Sequence, residues 1–190
     1  NLEKYQTKAF ELYRLGIQHD ILANSPVFVE AHFMNIIGIG VVLKEFAWLD
    51  HVLNEKLITC LSQISTSAYH IGFARYSLAK KTFAQCREHL IAIDYTKPGY
   101  AIKAKSYNLI CCYELAEPIA IIEANCKSFE NYLRRNKTFH HSLLQHHLIF
   151  INLIRQLIRP DTQKQRLLQK LNSSSVAYRP WLLEKINMLK

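Results

Sequence analysis

The chain has 190 residues, which suits one domain or one continuous array. Hydrophobic residues make up 49% and charged ones 21%, which excludes a disordered chain, and five Gly and five Pro are too few for a fold built on many tight turns. The formal charge of +9 is uneven: residues 127–190 hold 12 Lys/Arg against only Glu130, Asp161 and Glu184, whereas residues 1–126 are balanced.

Helical periodicity begins at once. From Leu2 to about His19, apolar residues recur at Tyr5, Phe10, Leu12, Tyr13 and Ile17. The opening Asn1-Leu2-Glu3-Lys4 runs straight into amphipathic sequence, with no signal-peptide pattern and no initiator Met. The chain is therefore expected to be a fragment of a longer one, residues 1–24 giving a helix of a preceding hairpin. Ser25-Pro26 reads as cap and first-turn residue of a second helix, Val27 to Lys44. Its apolar run is interrupted by Glu30, His32 and Asn35 and falls short of the about 20 residues a membrane span needs, so a buried core helix is expected.

Gly38-Ile39-Gly40 lies inside that run. A dinucleotide-binding turn would need a preceding strand and a third glycine where Leu43 stands. The two glycines instead read as helix-interior positions that let another helix approach closely, a role Ala74 is expected to play in the next pair. Further helices are predicted at about Phe46–Ile58, Ser62–Ala79, Thr82–Ile93, Tyr100–Leu115, Pro118–Arg134, His140–Ile158, Asp161–Leu171 and Arg179–Leu189. The turns between them are marked by Asp94-to-Gly99, Arg134-to-Lys137, Arg159-Pro160 and Asn172-to-Ser175.

The elements pair into hairpins, and a similar stretch marks three of the joints: "LKEFAWL" at 43–49, "AKKTFAQC" at 79–86 and "LAEPIAI" at 115–121. Phe46 to Phe83 is 37 residues and Phe83 to Pro118 is 35, close to the period of about 34 in tetratricopeptide (TPR) repeats. The expected fold is all-α: a single domain forming an α-solenoid of about four TPR-like hairpins with flanking terminal helices, the last at 176–190.

The sequences "FMNIIGIGVVLKEFAWLDHVLNE", "YHIGFARYSLAKKTFAQCREHL" and "AKSYNLICCYELAEPIAIIEANCKSFENYLRRNK", with the ending "WLLEKI", resemble a group of uncharacterised TPR-like helical-repeat proteins of Bacteroidetes-type bacteria. The resemblance spans roughly residues 28–190. It implies a cytoplasmic α-solenoid without a catalytic signature. Lys81 and Ala116 stand where such repeats usually have a turn glycine, and Leu49 where an alanine is usual. In TPR-type stacks the first helix of each pair lines a concave face, which makes Asn35, Arg75, Lys103 and Tyr107 the groove candidates for binding a protein or peptide.

Other constellations are weaker. His140, His141, His146 and His147 lack the i,i+3 or i,i+4 spacing of a helical chelate; the outer two lie about 10.5 Å apart along a helix axis. Surface or groove histidines are expected, and no metal or other cofactor. Five cysteines without paired spacing (Cys60, Cys86, Cys111, Cys112, Cys126) read as reduced, buried small hydrophobes, which favours the cytoplasm. No nucleophile elbow or phosphate loop occurs, so an enzyme is not expected. Arg134, Arg135, Lys137, Arg155, Arg159, Lys164 and Arg166 form a basic set. They suggest nucleic acid as the alternative partner, with salt-sensitive phosphate contacts. No membrane partner is expected.

Overall fold

In the computed structural model, the described residues are 2–22, 30–58, 60–159 and 163–189, and among them there are helices and turns but no strand. The α-helices are α1 (Leu2–Gln18), α2 (Glu30–Val42), α3 (Phe46–His51), α4 (Thr66–Ala79), α5 (Phe83–Ile91), α6 (Pro98–Glu114), α7 (Ile119–Arg135), α8 (His141–Leu157), α9 (Lys164–Asn172) and α10 (Arg179–Met188). A π-helical turn, Val52–Lys56, continues α3. The expected Ser25-Pro26 cap and Pro160 of the expected Arg159-Pro160 break lie outside the described residues. The start of α4 falls later than the periodicity predicts, because Ser65 caps it: its Oγ accepts the Ala68 N–H at 3.2 Å.

The three similar joints share one backbone geometry. After α2, Lys44 N–H donates to the Val41 carbonyl and Glu45 N–H to that of Gly40. After α4 the same bonds join Lys81 to Leu78 and Thr82 to Ser77; after α6 they join Ala116 to Tyr113 and Glu117 to Cys112. This double bond closes a helix through a left-handed residue, and Lys44, Lys81 and Ala116 have φ of 60°, 59° and 51°. The residues that replace the usual glycine thus adopt the glycine conformation. Asp20, at φ 54°, ends α1 in the same way.

The contacts divide the chain into two units, residues 1–111 and 112–190. In the first, α2 is buried through Phe33, Ile36, Ile37, Gly38 and Gly40, which cover too much of its circumference for a surface helix. Close approach does depend on glycine here. A Cβ on Gly40 would meet the Leu49 side chain at 2.7 Å, so the bulk of Leu49 on α3 is accommodated by its absence from α2. In α4 the tight position is Gly72, against Phe33 and Ile37, beside the fully buried Ala74.

The second unit has its own core. Ile122, Cys126, Phe129 and Leu133 form the buried stripe of α7 at helical spacing. Phe150, Ile151, Leu153, Ile154 and Leu157 of α8 are buried with Leu167 and Leu171 of α9 and Leu182 and Ile186 of α10. Phe150 stacks near Tyr178 and Trp181, with ring centroids 5.2 and 6.2 Å away.

Candidate functional site

The helices α2, α4 and α6 are tied together at their N-terminal ends by one carboxylate. Glu30, the first residue of α2, accepts the Ser65 N–H at the start of α4, at 3.0 Å, and the Tyr100 hydroxyl in the first turn of α6. These donors hold the Glu30 carboxyl below its ordinary range.

Further along α4 and α6 lie three of the four groove candidates. Arg75 on α4 is half-buried with its guanidinium over the bare backbone of Gly38 on α2; Nη2 lies 3.5 Å from the Gly38 carbonyl. A Cβ on Gly38 would sit 2.8 Å from Nη1. Lys103 and Tyr107 are one turn apart on α6, and so share a face. Burial and the nearby Arg75 charge push the Lys103 ammonium down, and burial pushes the Tyr107 phenol up to about 12. The fourth candidate, Asn35, is exposed, and its Nδ2 donates to the Tyr13 hydroxyl of α1 at 3.1 Å.

The basic set divides differently from what its sequence clustering suggests. Arg155 is only 24% exposed and donates to Glu123 at 3.1 Å and Glu130 at 2.8 Å. Arg134 also pairs with Glu130, at 2.7 Å. Lys164 Nζ donates to the Asn187 and Leu189 carbonyls at 2.7 and 2.9 Å, closing the C-terminal end of α10. Arg135, Lys137, Arg159 and Arg166 are exposed and form no ion pair among the described residues.

The histidines also part company. His140 caps α8 by accepting the Ser142 N–H at 3.3 Å. His147 is buried rather than on the surface, because it falls on the stripe that holds Phe150, Ile151 and Ile154; its Nδ1 lies 2.8 Å from the Leu143 carbonyl. No group of three or more ligands suited to a metal ion occurs among the described residues. All five cysteines are buried and outside any disulfide. Contact with Cys111 and burial push the Cys86 thiol up, and burial pushes Cys126 up to about 12, the opposite of an activated nucleophile.

A cleft of about 540 Å³, lined among others by Asp50, Asn54, Phe73, Tyr76, Lys80 and His89, was not foreseen. Asp50 accepts from the Tyr76 hydroxyl and from Lys80 at 3.1 Å, donors that hold its carboxyl low. On one wall His89 Nδ1 lies 3.1 Å from His70 Nδ1. These partners are 19 to 30 residues apart in sequence, so no local spacing announces them.

No protein-family model matches the chain, no curated protein matches it, and no solved structure matches it. No helix among the described residues is long and apolar enough to cross a membrane.

Proposed function

We propose that this chain is a non-catalytic, TPR-like interaction module of the cytoplasm, whose helices α2, α4 and α6 present a face that binds a protein or peptide. One observation carries the reading: the Glu30 carboxylate of α2 accepts from Ser65 at the start of α4 and from Tyr100 in the first turn of α6. The first helices of successive pairs therefore share polar groups at one place. The Glu30 tie and the joints recurring at 37 and 35 residues support side-by-side first helices, the arrangement that makes a groove in repeat proteins. The upward-shifted thiols argue against nucleophilic chemistry.

A second reading, nucleic-acid binding, rests on the exposed cations Arg135, Lys137, Arg159 and Arg166. Photo-crosslinking separates the two. A photoreactive residue at Asn35 in a cell lysate is expected to capture a discrete protein that survives nuclease treatment and washing at high salt. If only a probe at Arg135 captures material, and that material is lost to nuclease or between about 50 and 200 mM salt, the binding face is the basic one.

A further inference from the structure

The cleft of about 540 Å³ is lined from α3, the π-helical turn, α4 and α5, all within residues 1–111. Small-molecule sites span about 300–1,000 Å³, so its size is that of a ligand pocket. Buried polar side chains are ordinarily hydrogen-bonded, and one that lines this cleft is not. Ser77 is 5% exposed, and its hydroxyl makes no hydrogen bond among the described residues. That arrangement costs folding free energy unless a molecule in the cleft bonds the hydroxyl. Asn54, also at the cleft, stands in the π-helical turn, an irregularity frequent at functional sites. Its Nδ2 donates to the Asp50 backbone carbonyl at 2.8 Å, which leaves the side-chain oxygen to accept. Phe73, Tyr76 and His89 offer ring surface, Phe73 and His89 lying 31° from parallel with centroids 5.4 Å apart. The polar groups offer both hydrogen-bonding roles in similar measure. Asp50 accepts from Tyr76 and Lys80, so the two charges balance and the ammonium keeps an N–H to donate. Ser77 and Gln85 can donate and accept; Glu88 can accept, as can Thr82, whose own proton goes to the Ser77 carbonyl at 3.2 Å.

We infer that this cleft binds a pyranose ring of a sugar or oligosaccharide. The mixture of groups selects the class. Every sugar hydroxyl both donates and accepts, as the polar side chains here require, and the C–H face of the ring suits the negative face of an aromatic side chain. An anion would meet two carboxylates, Asp50 and Glu88, against one ammonium. A cation would compete with Lys80, whose own ammonium already lies over the Tyr76 ring, 5.1 Å from its centroid. A wholly apolar ligand would leave Ser77 unpaired. The cleft draws on α3 and α5 where the proposed protein-binding face draws on α2 and α6, so the two stand or fall separately.

The test titrates the whole 190-residue chain with the methyl pyranosides of glucose, galactose, mannose and N-acetylglucosamine, and with maltose and cellobiose. The Ser77 backbone and Gln85 side-chain amide signals are followed by NMR. Glycerol, a polyol without a ring face, and N-acetylargininamide, a cation, are the controls. A saturable shift with at least one pyranose and none with glycerol is expected. Ser77→Ala removes a single oxygen, and Gln85→Ala changes an exposed side chain, so both variants stay folded. Each should weaken pyranose binding about threefold to tenfold, the span of one hydrogen bond. Saturation by N-acetylargininamide alone makes the cleft a cation site and overturns the proposal. So does a shift that saturates with no pyranose, or pyranose binding that both variants leave unchanged.

Discussion

The two units treat buried positive charge in opposite ways. In residues 112–190, Lys185 is 8% exposed and meets Glu114 at 2.8 Å and Glu184 at 3.3 Å, while Arg155 meets Glu123 and Glu130. The Trp181 indole N–H also donates to Glu114, at 2.6 Å. In residues 1–111, Arg75 lies 3.5 Å from the Gly38 carbonyl, and among the described residues no carboxylate pairs with Arg75 or Lys103. A cation with its carboxylate is part of how a unit holds together. That contrast gives Lys185 and Arg155 a structural part in the second unit, where the sequence places its whole charge excess.

The largest expected effect breaks the compensated side. Glu114→Ala removes the main partner of Lys185 and the acceptor of Trp181, and should cost about 3 kcal/mol of stability, as removing one member of a buried pair does. Urea denaturation followed by tryptophan fluorescence measures it. Loss of less than about 0.5 kcal/mol, the range of an exposed pair, would erase the contrast. On the uncompensated side the sign reverses. Lys103→Met removes a cation whose ammonium burial and the Arg75 charge disfavour, and should stabilise the chain by about 1 kcal/mol, within the range for replacing buried charge by apolar side chains. If Lys103→Met destabilises instead, the ammonium is structural after all.

The joints offer a comparison in which the units should agree. Lys81 belongs to the first and Ala116 to the second, and each holds a left-handed conformation that costs an L-residue about 1 kcal/mol. Lys81→Gly and Ala116→Gly should each recover about 0.5 kcal/mol, the strain relief exceeding the entropy that glycine adds to the unfolded chain. Thermal unfolding of both variants checks this. A destabilisation in either would mean that its side chain contributes more than its backbone loses.

These joints also show what was legible. Helix positions and the repeated joints followed from periodicity and turn residues, because both are local properties of the chain. Lys81 and Ala116 were singled out as standing where the expected repeat has a glycine; the left-handed backbone itself, and its third instance at Lys44, came only from the structure. Arg75, Lys103 and Tyr107 were picked out by lying on first helices, and the structure adds the approach of Arg75 to Gly38. The sorting of the basic set was not readable. Arg155 finds Glu123 32 residues away and Glu130 25 away, and nothing in "NLIRQL" distinguishes it from exposed Arg159. Glu30, Asp50 and the pair His70–His89 stayed hidden for the same reason. Long-range pairing depends on which faces pack, and composition alone does not record that.

The smallest predicted effect uses that histidine pair. Two imidazoles can share a hydrogen bond between Nδ1 atoms only if one nitrogen keeps its proton and the other accepts, so the doubly charged pair is excluded. Burial lowers both pKa values. The His70 charge lowers that of His89 further, and Glu88 opposes this only in part. The folded chain therefore binds fewer protons here than the unfolded one, and stability is full above the ordinary histidine pKa of about 6.5 and falls as pH drops through it. Buried His147 in the second unit is lowered too, mainly by burial, and should add a loss of the same sign. The lowered carboxyls Glu30, Asp50 and Glu130 lose their contribution only at more acid pH, below about 4.5. Denaturation midpoints should thus decline in two stages, and His70→Gln should flatten the first stage while leaving the second. An unchanged first stage in His70→Gln would move the effect to His147, and the acid sensitivity that the geometry gives chiefly to the first unit would then belong to the second.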